Sequence, residues 1–165
     1  MTYHIAPLNK AHFEGLHFAF DTVSKEGRFL AFLQAPPKEQ TFEYYENVLQ
    51  HDHAHFVALQ GQRVVGWCDA LPVAGETRSH ITVLGVALLP QARHRGLGAQ
   101  LMQAVIPKVW HKGFTRIELT VRTDNLNALA LYKRQGFAVE GTHRNGGRIN
   151  SEYHDVYAMA LLRDA

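Results

Sequence analysis

A single cysteine, Cys68, in 165 residues excludes an internal disulfide, so no oxidising compartment is called for. No stretch approaches the roughly 20 consecutive apolar residues that a membrane-spanning helix needs. The opening MTYHIAPLNK lacks the apolar centre of a secretory signal. These shortages predict a cytoplasmic protein with no membrane partner. Surplus charge is also scarce: 17 Lys and Arg against 15 Asp and Glu leave a formal charge of +2. With no basic–aromatic interleaving, a nucleic-acid partner is not expected. Repeats, low-complexity tracts and linkers are missing as well, so residues 1–165 read as one domain. What is plentiful is apolar surface, 46% of residues against 19% charged, which is the make-up of a chain with a packed core.

Periodicity divides that surface into elements. YHIAPL reads as a first strand. Asn9 can cap a helix whose inner face carries Phe13, Leu16, Phe20 and Val23. Two prolines in QAPPKEQ break the chain before a second helix, Thr41 to Gln50, with Phe42, Tyr45 and Leu49 inward. Core packing is the default for Phe13, Phe18, Phe20 and Trp110. HFVALQ and RVVGWCDALPV form a hairpin across a Gly-containing turn. SHITVLGVALLP is apolar almost throughout, as for a central strand covered on both faces. Gly96–Lys112 is a helix with Leu97, Leu101, Val105 and Val109 on one stripe and a bend at Pro107. RIELTV is a strand, Asn125–Gln135 a helix, and Phe137–His143 and Tyr153–Leu162 two strands around a glycine-bearing loop. The predicted order is β-α-α-β-β-β-α-β-α-β-β: an α/β class with a mixed sheet of about seven strands and one parallel crossover.

ARHRGLGAQLM (92–102) places three basic side chains and two glycines ahead of that third helix. GLGAQL departs from the dinucleotide fingerprint at its third glycine, and no Walker-type loop is present. The physical feature survives both failures. Amides opening a helix lack intrahelical acceptors, the dipole is positive there, and glycines admit a ligand to the backbone. These residues alone leave two readings, a solvated basic turn or a phosphate cradle.

DNLNALALYKRQGF (124–137) adds a second constellation. Asn125 stands at a helix cap; Ala128, Leu131 and Tyr132 share one face; Gly136 offers a left-handed stop. In order and spacing, Arg93-His94-Arg95-Gly96-Leu97-Gly98 resembles the Q/R-x-x-G-x-G/A pyrophosphate loop of the GNAT N-acetyltransferases. Asn125, Ala128, Leu131, Tyr132, Gly136 and Phe137 match that family's second signature. The resemblance covers nearly the whole chain and implies a GNAT fold with helices on both faces of the sheet. It also implies acetyl-CoA as co-substrate, no metal, and transfer to the primary amine of a small or amino-acid-like acceptor. Acetylation of a protein N-terminus and a non-catalytic acyl-CoA-binding module are the alternatives.

The same resemblance distributes roles. The backbone of Val86, Ala87 and Leu88 would carry the pantetheine arm. Arg93, His94, Arg95, Gly96, Leu97, Gly98 and Ala99 would hold the pyrophosphate. Asn125 would hydrogen-bond the pantetheine, and Tyr132, near the thioester sulfur, would be the general acid. Its other reading is a packed aromatic. A C-terminal strand in such folds can join a homodimer, and Arg144, Arg148 or Tyr153 could meet a carboxylate-bearing acceptor. The base is not visible in the motifs; Glu118, His80 and Asp69 are the titratable candidates, and an amine arriving neutral needs none. HDHAHF (51–56) alternates histidines without a completed zinc pattern and reads as a solvated connector. Cys68 reads as a small buried residue.

Overall fold

A computed structural model describes residues 2–164. The elements follow the predicted order: β1 (Tyr3–Pro7), α1 (Phe13–Lys25), α2 (Lys38–Gln50), β2 (Ala54–Gln60), β3 (Arg63–Pro72), β4 (Ile81–Leu88), α3 (Leu97–His111), β5 (Arg116–Arg122), α4 (Leu126–Arg134), β6 (Ala138–Ile149) and β7 (Glu152–Leu162). Hydrogen-bonded neighbours run β1-β2-β3-β4-β5-β7-β6, with β4 and β5 parallel and antiparallel pairs toward both edges. This is the mixed α/β architecture that the sequence implies. The chain divides into two compact units, residues to Ala70 with Gly85–Lys108, and Leu71–Leu84 with the residues from Val109 onward. No helix among the described residues is long and apolar enough to cross a membrane.

In the first unit, Asn9 starts the helical stretch as expected, but over a short 3-10 turn, Lys10–His12. Its side chain accepts from the Ala11 amide, and His12 Nδ1 accepts from the Asn9 amide. The buried face of α1 is Phe13, Leu16, Ala19 and Val23; Phe20 is half-buried. Phe18, expected in the core, is 59% exposed because it falls between those inward positions. α2 starts earlier than predicted, directly after Pro37, and its buried stripe is Thr41, Tyr45 and Val48 rather than Phe42, Tyr45 and Leu49. The prolines do shape their segment, since the Pro36 carbonyl accepts from Thr41 Oγ1 at 3.2 Å and pairs with His17 Nε2 at 2.9 Å.

The β2–β3 hairpin carries the feature that matters most for the site. Pairing begins at Gln60↔Arg63 and Leu59↔Val64, then shifts to Ala58↔Gly66, so Val65 is an extra residue on β3. Such a bulge shifts the register by one, so every later residue of β3 stands opposite a different β2 residue than an unbroken ladder would give it. Beyond it His55 lies opposite Asp69, and Cys68 opposite Phe56. Gly66, just past the bulge, lies against β4. A methyl group there would overlap Leu88 Cδ2 and stand 2.8 Å from the Ala87 carbonyl oxygen.

In the second unit, β5 alternates as predicted, with Ile117, Leu119 and Val121 buried and Thr120 exposed. The α4 stop is a Schellman arrangement: Gly136 has φ +98°, its amide donates to the Lys133 carbonyl, and the Phe137 amide donates to that of Tyr132. The C-terminal hairpin differs from expectation. β6 runs on through Gly146 and Gly147 to Ile149, and the turn is made by Asn150 and Ser151, both at positive φ. The glycines are in the strand because Gly147 pairs with His154, whose ring occupies the space that a β-carbon would need.

Gly66→Ala is expected to lower stability by about 1–3 kcal/mol, the usual cost of overpacking against backbone. Gly61→Ala, where no heavy atom stands within 4 Å, would meet no such overlap and only the strain of its positive φ. Urea unfolding of the two variants would separate these effects.

Candidate active site

The glycine turn lies in the first unit, between β4 and α3. The Gly96 carbonyl accepts the first helical hydrogen bond, from the Gln100 amide at 3.2 Å. That leaves the amides of Leu97, Gly98 and Ala99 in the first turn without helical acceptors. Gly96 has φ +77° with nothing within 4 Å of the position a β-carbon would take, and His94 is also left-handed, at φ +60°. The two arginines are occupied elsewhere. Arg93 donates to both Glu26 carboxylate oxygens, at 2.6 and 3.1 Å, and to the Leu88 carbonyl, and its guanidinium lies 4.7 Å from the Phe29 ring centre. Arg95 donates to the Gln91 carbonyl and lies over the Tyr3 ring. What the turn offers an anion is chiefly backbone N–H. Upstream, Val86, Ala87 and Leu88 are half-buried, and Gly85 is exposed on the same strand.

Asp69 lies on the β3 face covered by α1 and α2. Trp67, two residues earlier on that face, meets Phe20 edge-on at 5.8 Å, and Tyr45 meets His55 edge-on at 6.3 Å. The Asp69 carboxyl accepts hydrogen bonds from the Tyr44 hydroxyl and the Gly85 amide, yet burial dominates and pushes it up to about 7. His55 Nε2 is 3.4 Å from Asp69 Oδ2, with side-chain exposures of 2% and 16%. Burial pushes the imidazole down to about 3, so this is a neutral ring against a carboxyl and not an ion pair. Burial likewise raises Tyr44, Tyr45 and the Cys68 thiol above their ordinary ranges, with Asp69 adding to each. Cys68 is fully buried, as expected. His55, by contrast, is no solvated connector residue; only His51 and His53 fit that reading, their rings stacked at 5.5 Å.

The second unit holds the other motif. Asn125 Oδ1 caps α4 by accepting from the Ala128 amide at 3.2 Å, so its NH2 end is what a ligand would meet. Tyr132 is 7% exposed and packs at 6.1 Å, tilted, against Phe137. Glu118 is held by Arg116 at 2.8 Å and Arg78 at 3.3 Å, and Arg116 also binds Glu140, holding that carboxyl below its usual range. His80 is exposed and directly precedes β4; its carbonyl accepts from the Thr115 and Arg116 amides.

The sequence profile described as Acetyltransferase (GNAT) family matches residues 18–137. The chain belongs to the GNAT acetyltransferase family. Among relatives, L-amino acid N-acetyltransferase AaaT of Escherichia coli K12 is 38% identical over 88 residues, covering 52% of this chain and 54% of its own. The chain therefore spans about half the length of that relative. The ribosomal protein bS18-alanine N-acetyltransferase of the same strain is 27% identical over 113 residues, 64% of this chain and 76% of its own. Among solved structures, yncA of Salmonella typhimurium with acetyl-CoA superposes with TM-score 0.93 at 16% identity, covering 100% of this chain and 96% of that one. A GNAT acetyltransferase from Streptococcus pneumoniae gives TM-score 0.90 at 24% identity, covering 98% of this chain and 99% of that one. At these identities the two structures speak for the GNAT fold alone.

Of the site residues read from sequence, the structure groups the 93–99 turn, the 86–88 strand and Asp69 in the first GNAT unit, and Asn125, Tyr132, Glu118 and His80 in the second. Sequence reading missed His55 and Tyr44 as partners of Asp69. His55 could have been found from the hairpin only by knowing the bulge, and Tyr44 precedes the buried Tyr45 of α2 and is itself 41% exposed. Because the folded Asp69 value lies above the unfolded one near 4, ionising this carboxyl opposes folding. The opposition is nil below about pH 4, grows up to about pH 7 and is constant above. Thermal unfolding of Asp69→Asn should therefore show a stability gain over wild type that grows across that interval and then levels off, on the order of a few kcal/mol at most.

Proposed function

We propose that this chain transfers the acetyl group of acetyl-CoA to the primary amine of a small, amino-acid-like acceptor. The observation that carries the reading is the Gly96 turn, a left-handed, unobstructed backbone opening α3 directly after a half-open strand. Such a turn fits a pyrophosphate, because helix-opening amides can donate to its oxygens while the dipole favours its charge. The backbone groups of Val86, Ala87 and Leu88 would meet the pantetheine amides, and Arg93 would shape the turn through Glu26. Asn125 would add a donor from its NH2 end.

When bound, acetyl-CoA supplies an activated thioester carbonyl and a thiol as leaving group. The protein's part is to orient the amine and to move protons. Tyr132 Oη would deliver the proton that the departing sulfur takes. A phenol, ordinarily near pKa 10, is a suitable acid for a thiol, ordinarily near 8.5. The amino-acid acceptor is favoured by the 38% identity with AaaT over 88 residues. The longer match to the bS18-alanine enzyme supports a protein N-terminus as the second reading. A non-catalytic acyl-CoA-binding module is the third, and it would bind without turnover.

The deciding experiment follows free thiol in the presence of acetyl-CoA with L-amino acids and with alanine-starting peptides as acceptors. Turnover with amino acids is expected; turnover only with peptides would favour the second reading, and tight binding without any turnover the third. Gly96→Val or Gly98→Val is expected to weaken acetyl-CoA binding at least ~10-fold by calorimetry, about 1.4 kcal/mol, whereas His94→Ala should cost less. Wild-type affinity in Gly98→Val would remove the cradle. Tyr132→Phe is expected to lower kcat by ~10²-fold or more, in the range of a lost general acid, with acetyl-CoA affinity near wild type. Unchanged turnover would remove Tyr132 as the acid.

A further inference from the structure

Asp69 has surroundings that a surface carboxylate lacks. From β2, His55 lies directly across the strand pair. From α2 the Tyr44 hydroxyl donates to the carboxyl, and Tyr45 stands close enough to be raised by it. From β4 the Gly85 amide donates. The carboxyl lies along β4 at Gly85, Oδ1 3.5 Å from where a β-carbon would stand. On β3 itself, Cys68 is its buried neighbour and points to the opposite face. No Lys or Arg pairs with Asp69 among the described salt bridges, unlike Glu118 with Arg116 and Arg78. A mostly buried carboxyl held by two donors and no cation is a poor structural ion-pair member. It is well suited to a cation that arrives from outside.

We infer that Asp69 is the catalytic group that receives the acceptor as its ammonium ion and takes one proton from it, with Tyr44 and His55 as positioning residues. The step is a simple exchange. One N–H bond of the ammonium breaks, its electron pair stays on nitrogen, and the proton bonds to a carboxylate oxygen of Asp69. A neutral amine and a carboxylic acid result, with no change in total charge. Water then removes the proton and restores the carboxylate. The acceptor class is therefore a primary amine that is charged at neutral pH, rather than an aromatic or amide nitrogen. This inference rests on the acetyl-transfer reading.

His55 and Tyr44 act through Asp69 in different ways. The Tyr44 hydrogen bond favours the carboxylate, so removing it should raise the carboxyl further. His55 is neutral and buried, its Nε2 3.4 Å from Asp69 Oδ2, and the Phe56 backbone also interacts with the ring. A buried, neutral ring beside Asp69 positions the carboxyl and is no proton relay to solvent.

The test pairs kinetics with a readout that needs no turnover. Side-chain carboxyl carbons of aspartate are labelled with 13C in the intact protein, and the Asp69 signal is identified by its loss in Asp69→Asn. Without any acceptor it is expected to titrate between about pH 6 and 8, as burial of a carboxyl implies. In Tyr44→Phe, which keeps the ring of a partly exposed residue, the midpoint and the acidic limb of kcat/KM for an L-amino acid should both move upward together. Asp69→Asn is expected to lower kcat/KM for the amine by ~10²–10⁴-fold, the range of general-base catalysis, with acetyl-CoA affinity unchanged. Gly85→Ala, whose methyl makes only an ordinary contact, should fold normally and raise KM for the amine more than for acetyl-CoA. An Asp69 signal that titrates near pH 4, or an Asp69→Asn variant with the wild-type pH–rate profile, would overturn the inference. Failure to bind acetyl-CoA would instead overturn the acetyl-transfer reading, so the two failures are distinguishable.

Discussion

At Gly66 the backbone of β3 comes so close to Leu88 and the Ala87 carbonyl of β4 that no β-carbon can stand between them. One residue earlier, Val65 is inserted without a partner on β2. The two features work together. The bulge shifts the pairing of the far half of β3 with β2 by one residue, and the glycine lets that half lie close against β4. Trp67 and Asp69 then face α1 and α2, while Cys68 faces the opposite side. With an unbroken register His55 would stand across from Cys68, and the carboxyl would have a different neighbourhood. The bulge is thus the constraint on which the polar cluster of the first unit depends.

Electrostatics follows from that placement. Asp69 and Glu118 are both carboxyls on strands beside β4, yet their environments differ in kind. Glu118 has two guanidiniums within 3.3 Å and belongs to an ion-pair cluster. Asp69 has a phenol, an amide and an uncharged imidazole, so desolvation prevails over hydrogen bonding and raises its proton affinity. Groups whose titration is moved toward neutrality by burial are those able to exchange protons at working pH. The cost is a carboxyl that weakens the fold once it ionises.

The turn before α3 divides its labour between side chains and backbone. Arg93 and Arg95 look, as letters, like ligands for phosphate. In the fold Arg93 ties the end of α1, through Glu26, to the carbonyl of Leu88, and Arg95 folds back on Gln91 and Tyr3. They hold the turn's conformation, and Gly96 and His94 carry its left-handed dihedrals. As proposed, an anion held here would be selected by shape, because the donors are fixed by the helix and not by flexible side chains.

The order of strands and helices was legible because hydrophobic period survives in the letters: β5 alternates, α3 repeats Leu97, Leu101 and Val105, and Gly136 ends α4 where a left-handed stop belongs. The GNAT motifs were legible for the same reason, since each is a local run in which glycine, asparagine and tyrosine serve one turn or one helix face. Phe18 was misread because a residue between two inward positions of a helix looks apolar in either orientation. The C-terminal glycines were misread because Gly147 answers to the ring of His154 across the strand pair, not to a turn. By itself, then, the sequence determined the fold class and the family, both of which depend on patterns within about one helical turn or one strand. Only the tertiary structure decided that His55, Tyr44 and Gly85 surround Asp69. Those contacts join residues from four elements, and their register hangs on one inserted residue that no local pattern marks.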